Sequence, residues 1–139
     1  MKYTVPAVLA LGVGGMFALT QVAPPDETMR YAQAMRDLRF VEDTLQRPGV
    51  SGQFATVVQV AESGREAFET VEAFWAGRGD AVAAEIAASG LEAVEAVLAA
   101  ARNGDRSGVE AATAHVGATC TACHDIHRVR LPDGTSRIR

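Results

Sequence analysis

Aromatic residues make up only 6% of this 139-residue chain, and cysteine occurs twice. The few strand-favouring residues are scattered rather than alternating, whereas the abundant alanine and glutamate favour helices. A net charge of −4 with no basic stripe argues against nucleic-acid binding. The length allows one domain at most. The sequence therefore predicts a small all-α domain.

The first 25 residues differ from the rest. Lys2 precedes an uncharged apolar run from Val5 to Ala23, which is just long enough to cross a bilayer, since about 20 apolar residues are needed. A secretory signal and an uncleaved membrane anchor both fit, because Gln21 and Pro24-Pro25 are a poor context for signal peptidase. In either case we expect residues 26 onward in the periplasm, soluble or anchored to the outer side of the inner membrane.

Four amphipathic segments follow, separated by glycine-, proline- and asparagine-rich breakers. Their expected bounds are Asp26 to Gln46, Ser51 to Trp75, Asp80 to Arg102 and Ser107 to Arg130. Asp80 is the predicted N-cap of the third segment, and the spacing of Ser107 and Glu110 predicts a capping box for the fourth. Short connections between similar helices predict an antiparallel up-down-up-down four-helix bundle over residues 26–130. An N-terminal apolar helix precedes it, and residues 131–139 form a short tail.

The run Cys120-Thr121-Ala122-Cys123-His124 lies on the last predicted helix. Cysteines three residues apart share one face of a helix, so their thiols can bond the two vinyl groups of one haem. The histidine that follows can then bind the iron as its proximal ligand. The run therefore predicts one covalent haem c, attached through Cys120 and Cys123 with His124 on the iron.

Three other interpretations of the cysteines were weighed. A zinc site would need two histidines from His115, His124 and His127, but such sites usually organise irregular folds rather than regular helices. A thioredoxin-like redox pair needs a βαβ context, which is not indicated. A disulfide would close a very short loop and contribute little entropy. The haem interpretation is favoured over all three.

The stretch from Gly117 to Arg128 resembles the C-terminal helix of the cytochrome c′ family, in which the pattern is close to Cys-x-x-Cys-His-x-x-Tyr-Arg. The resemblance implies a four-helix bundle and places Arg128 near the proximal face of the haem. His127 stands where the family usually has tyrosine or phenylalanine. It either alters the polarity beside the proximal ligand or is a partly exposed helix residue. Family members are often dimers through their first two helices, so a homodimer is one expectation.

The resemblance also implies that the first helix faces the sixth coordination position, and two registers stay open. If Arg30 contacts a haem propionate, Ala34 faces the iron and leaves the site open for NO or CO. If Tyr31 replaces that arginine, Met35 faces the iron and its thioether can bind it. Met35 shares the inward stripe with Tyr31, which favours the second register, although methionine also serves as ordinary core packing. Met29 is a weaker candidate ligand.

Two functions follow from these registers. The first is an electron carrier ligated by Met35 and His124, and the alternative is a five-coordinate haem protein that binds NO or CO. Neither uses a catalytic acid or base, so we do not expect an enzyme. The expected partners are redox proteins, with membrane contact if the N-terminal segment is uncleaved. Arginines near the end of the chain are basic enough to favour an acidic partner.

Overall fold

The computed structural model describes residues 26–139, so the predicted signal or anchor lies outside the described residues. The elements are α1 (Glu27–Leu45), a 3₁₀ turn (Val50–Gly52), α2 (Phe54–Gly77), α3 (Ala81–Arg102), α4 (Arg106–His127), β1 (Arg128–Arg130) and β2 (Ser136–Ile138). The predicted all-α four-helix bundle is confirmed. Within residues 26–139, none of the helices combines the length and apolar character needed to cross a membrane.

Aspartates begin three of the helices. The carboxylate of Asp26 accepts a hydrogen bond from the Met29 amide at 2.8 Å, and that of Asp80 accepts one from the Ala83 amide at 3.0 Å. The predicted N-cap at Asp80 is therefore confirmed. The predicted capping box of α4 is wrong, because Asp105 takes the cap position and accepts from the Gly108 amide at 2.9 Å. An aspartate two residues upstream reaches the free amides of the first turn, so Ser107 lies inside the helix.

The chain leaves α4 earlier than the sequence indicates. The last helical residue is His127, and Arg128 already has extended backbone angles. Residues 128–130 pair antiparallel with residues 136–138, with Arg128 opposite Ile138 and Arg130 opposite Ser136. The helix was predicted to continue to Arg130, and that prediction is wrong because pairing with the following strand satisfies the backbone groups of these three residues instead.

Neighbouring helices pack in chain order, α1 on α2, α2 on α3 and α3 on α4, whereas α1 and α4 meet at few residues. Small residues set the closest approaches. An ideal Cβ on Gly90 of α3 would lie 2.2 Å from Cε1 of Phe68, so the ring of Phe68 occupies the space that a side chain would take. Of the pairs of helices that neighbour each other around the bundle, α1 and α4 are therefore the most loosely packed.

Candidate functional site

The cysteines of the Cys-x-x-Cys-His run lie one turn apart near the end of α4. Cys120 and Cys123 are half-buried free thiols, and His124 is also half-buried. All three belong to one regular helix, so their spacing is fixed by the helical rise and rotation. Half-buried thiols and a half-buried imidazole can still contact a bound cofactor, which would complete their burial.

The α1 helix lies opposite this run. An ideal Cβ on Gly117 would be 3.2 Å from Nε2 of Gln46 and 3.4 Å from Oε1 of Glu42, so the second half of α1 approaches α4 one turn before Cys120. At the other end, Tyr31 is close enough to Cys123 for their charges to interact. The helices therefore run antiparallel, with the cysteines facing the length of α1 between Tyr31 and Glu42.

The electrostatics keep the three groups uncharged near neutral pH. Burial, followed by the charge of the Glu42 carboxylate, raises the pKa of the Cys120 thiol to about 11. Burial is also the main cause of the raised pKa of Cys123, followed by the charge of Asp80. Burial lowers the pKa of His124, and the guanidinium of Arg128 lowers it further. A neutral imidazole has a free lone pair, which is the form that binds a metal.

These residues fit a c-type haem. Two thiols on one helical face can form thioether bonds with the two vinyl groups, and the neutral imidazole of His124 can bind the iron. Bound haem would supply one-electron redox chemistry or a binding site for a diatomic gas. The loosely packed side of the bundle, where α1 faces α4, is the one from which a flat macrocycle could reach both thiols.

An aromatic cluster lies near Cys123. The ring of Tyr31 stacks on that of Phe74 with centroids 4.0 Å apart and meets the indole of Trp75 edge-on at 5.9 Å. Burial raises the pKa of Tyr31 to about 12, which keeps its phenol neutral. The cluster fixes the position of Tyr31, one of the predicted haem contacts.

His127 belongs to the same cluster. It is only 9% exposed, so the expectation of a partly exposed helix residue is wrong. Its ring lies 4.9 Å from that of Trp75, and its Nδ1 lies 3.6 Å from Oδ2 of Asp80. The side chain of His127 points inward at the end of α4, and its ring packs in the aromatic cluster at the position where the family usually has tyrosine or phenylalanine. Nε2 of His127 and Nε1 of Trp75 are buried without a hydrogen-bond partner within residues 26–139.

The candidate distal residues of α1 lie on different faces. Met35 is half-buried and packs against the core, and helical spacing places it on the face of Tyr31 and Glu42, four residues before and seven after. Arg30 is exposed in a groove between α1 and α2, which Ala34 also lines. Tyr31 therefore lies near Cys123 of α4, helical spacing puts Met35 on the same face of α1, and Arg30 lies in the groove with α2. Met29 is exposed at the start of α1.

Other sequence candidates have simpler surroundings. Arg128 is exposed, and its Nε donates a hydrogen bond to Oγ of Ser136 at 3.0 Å. His115 is exposed on α4. In the part of the chain that the structure describes, three or more His, Cys, Asp or Glu side chains do not converge on one point as a metal site would require. The zinc interpretation therefore gains no support from the geometry.

The contacts that Trp75 makes with two other helices were not predicted from the sequence. Trp75 reads as one of several apolar positions on the inner face of α2, but it joins Tyr31 of α1 to His127 of α4. A tryptophan at the end of a helix, five residues before a capping aspartate, was the only signal available. That spacing alone does not reveal a contact with two other helices.

Paired thiols and a neutral imidazole on the last helix of a four-helix bundle define a c-type haem protein. The chain matches the family model of cytochrome C′ over residues 50–128, which is more than half of its length. It therefore belongs to the cytochrome c′ family and is a haem-binding c-type cytochrome with covalent haem c. No curated protein and no solved structure matches it significantly. The matched range covers α2, α3 and α4, whereas α1 and almost all of the β1–β2 segment lie outside it.

Proposed function

We propose that this protein is a periplasmic electron carrier, without enzymatic turnover, whose single haem c is attached through Cys120 and Cys123. His124 is the proximal ligand of the iron and Met35 the distal one. The observation that carries the proposal is the half-buried position of Met35 on the α1 face that Tyr31 and Glu42 share. Methionine–histidine ligation raises the reduction potential and suits electron transfer rather than gas binding.

The proximal assignment rests on the half-burial of both thiols and on the lowered pKa of His124. Arg128 follows His124 by four residues, and its charge acts on that imidazole. We assign Arg128 to the proximal side, where a fixed positive charge favours the reduced iron. Tyr31 is assigned to the edge of the haem near Cys123, because the two side chains are close enough for ionisation of Cys123 to raise the pKa of Tyr31.

The visible absorption spectrum of the purified holoprotein tests the distal ligand. Met35→Ala is expected to convert a low-spin spectrum to a high-spin one and to remove the weak far-red band of methionine-ligated ferric haem. Met29→Ala is the matched control, because Met29 lies on the same helix but is 56% exposed. It should leave the spectrum unchanged.

The opposite outcome is equally clear. A wild-type protein that is high-spin and binds NO or CO without displacing a ligand would contradict the carrier function. It would support the alternative, a five-coordinate gas-binding protein in which the small side chain of Ala34 leaves the distal position open. Ala34 is 4% exposed and lies beside Met35 on α1.

The partners of the proposed carrier include redox proteins and a second copy of the chain. The outer face of α1 exposes Phe40, which is 61% exposed, and Met29 beside the groove shared with α2. Exposed apolar side chains of this size are typical of interaction surfaces. Sedimentation equilibrium should give a dimer that Phe40→Glu dissociates, and a monomeric wild type would contradict the homodimer.

A further inference from the structure

Positive charge is concentrated in the last twelve residues. Residues 128–139 hold four of the thirteen basic residues of the chain but only one of the seventeen acidic ones. The rest of the chain therefore has sixteen acidic residues against nine basic ones. Basic and acidic residues are therefore unevenly distributed along a chain whose overall charge is mild. The C-terminal segment is basic, and the rest of the chain is acidic.

The basic element has a defined structure, which we call the arginine hairpin (residues 128–139). Its two strands pair antiparallel, and the amide of Leu131 donates to the carbonyl of Thr135 at 2.8 Å to close the turn. The amide of Arg139 donates to the carbonyl of His127 at 2.9 Å, and Ile138 packs against the core. These contacts hold the hairpin against the end of α4.

The charges of the hairpin are available to a partner. All four arginines are exposed: Arg128, Arg130, Arg137 and Arg139. Across residues 26–139, none of these guanidinium groups lies within 4.0 Å of a carboxylate. The single acidic residue of the hairpin, Asp133, accepts hydrogen bonds from the amide and hydroxyl of Thr135. Arginine forms paired hydrogen bonds with carboxylates and is enriched at protein interfaces, unlike lysine.

The hairpin also lies next to the proposed haem attachment. Arg128 follows His124 by four residues, and its charge lowers the pKa of that imidazole. Ile126, which precedes the hairpin by two residues, is an apolar side chain that is 49% exposed. The family match ends at residue 128, so the whole hairpin except Arg128 lies outside the matched region.

We propose that the arginine hairpin docks an acidic protein surface from which the haem accepts, or to which it delivers, one electron. The inference rests on the proposed carrier function and adds the place and charge of its partner. The exposed arginines of the hairpin have no carboxylate partner within residues 26–139, and exposed Ile126 lies just before them in the chain. Charged and apolar groups of this kind suit a protein interface, in which charge sets the encounter rate.

The test is the rate of electron exchange between the full-length reduced holoprotein and two small oxidants of opposite charge. One electron passes from the protein to hexacyanoferrate(III), giving hexacyanoferrate(II), or to tris(phenanthroline)cobalt(III), giving the cobalt(II) complex. The exchange with the anion should be fast at low ionic strength and slow down as salt is added. Arg130→Glu combined with Arg137→Glu should lower the rate of electron transfer to the anionic oxidant by about tenfold at low salt and raise the rate of transfer to the cationic one.

The matched control is Arg47→Glu combined with Arg102→Glu. These exposed residues lie at the opposite end of the bundle and produce the same change in net charge. The proposal is overturned if both pairs change the rates equally, because net charge alone would then explain them. It is also overturned if the hairpin variant keeps wild-type rates but loses binding to phosphatidylglycerol vesicles, since the hairpin would then serve a membrane.

The failure of this proposal can be separated from that of the carrier function. Suppose that the wild type is low-spin, that both double variants keep its reduction potential, and that the oxidants react with the two variants at equal rates. The docking surface is then refuted, and the carrier function still holds. A high-spin, gas-binding wild type removes the carrier function, and the docking proposal is overturned with it, whatever the rates are.

Discussion

The imidazole of His127 packs against the indole of Trp75, with ring centroids 4.9 Å apart and planes tilted by 46°. This contact joins the last residue of α4 to the end of α2. It also brings α4 close to Asp80, the N-cap of α3, through the 3.6 Å separation of Nδ1 and Oδ2. Three helix ends therefore meet at one buried side chain that follows the proposed iron ligand by three residues.

Shortening this side chain should destabilise the protein. His127→Ala is expected to lower the free energy of unfolding by about 2–3 kcal/mol, because it leaves a cavity against Trp75. His127→Phe should stay within about 1 kcal/mol of wild type, since it keeps a ring and removes a buried nitrogen without a partner. Urea unfolding of the holoprotein, followed by circular dichroism, measures both. Equal losses in the two variants would show that the polar contact of Nδ1 with Asp80, not packing, is what His127 contributes.

The close approach of α2 and α3 predicts a penalty for any side chain at Gly90. Gly90→Ala should destabilise the fold by about 1–3 kcal/mol, because the new methyl would lie 2.2 Å from the ring of the buried Phe68. Gly77→Ala is the control, since its methyl would meet only the flexible end of Glu27 at 3.4 Å. Thermal unfolding should show a clear fall for Gly90→Ala alone. A neutral Gly90→Ala would mean that the two helices separate at little cost.

The N-cap of α4 predicts an acid dependence of stability. The Gly108 amide holds the pKa of Asp105 below its usual 3.8, and the Ser107 hydroxyl adds to the effect. The ionised form is therefore favoured in the folded state. Its contribution is complete above the unfolded pKa and is lost as the pH falls through the lower folded pKa.

Replacing the cap should reveal this dependence. Asp105→Ala should lower the urea midpoint at pH 7, and the difference from wild type should shrink below about pH 4 as the unfolded carboxyl gains a proton. Asp105→Asn keeps an acceptor that does not titrate, so it should retain most of the cap at both pH values. A wild-type advantage over Asp105→Ala that is the same at pH 3 and pH 7 would contradict the ionised cap.

The attachment of the haem can be tested one sulfur at a time. Cys120→Ser and Cys123→Ser should each leave a single thioether, and the double variant should lose haem in denaturing electrophoresis with haem staining. The alkaline pyridine spectrum of each single variant should shift toward that of a haem with one unreacted vinyl group. Ala122→Ser, on the exposed side of the same turn, should match wild type. Full covalent haem in the double variant would refute the attachment.

Much of the fold follows from local signals. The apolar spacing and the breakers predict four helices to within a few residues, and Asp80 acts as the cap that its position suggests. The start of α4 was placed at Ser107 because a capping box needs only sequence spacing. Asp105 is preferred in the structure because its carboxylate reaches the Gly108 amide directly, which depends on the geometry of the preceding turn.

The distal side and the end of the chain needed the packing of distant segments. Arg30 and Met35 each fit one register of the resemblance. In the structure Arg30 lies in the groove with α2, whereas Met35 packs against the core. The hairpin could not be read from Arg128 to Arg139 because three-residue strands carry almost no periodicity. Its pairing is stabilised by a contact with the end of α4 and by Ile138 on the core.

The sequence by itself determined the chemistry of the proximal side. Two cysteines three residues apart and an adjacent histidine meet on one face of any regular helix, so the motif needs no tertiary contact to be recognised. The tertiary structure decided what surrounds that motif. The burial of His127 against Trp75 and the packing of Met35 against the core depend on how separate helices pack, and that packing depends on contacts between residues far apart in the chain.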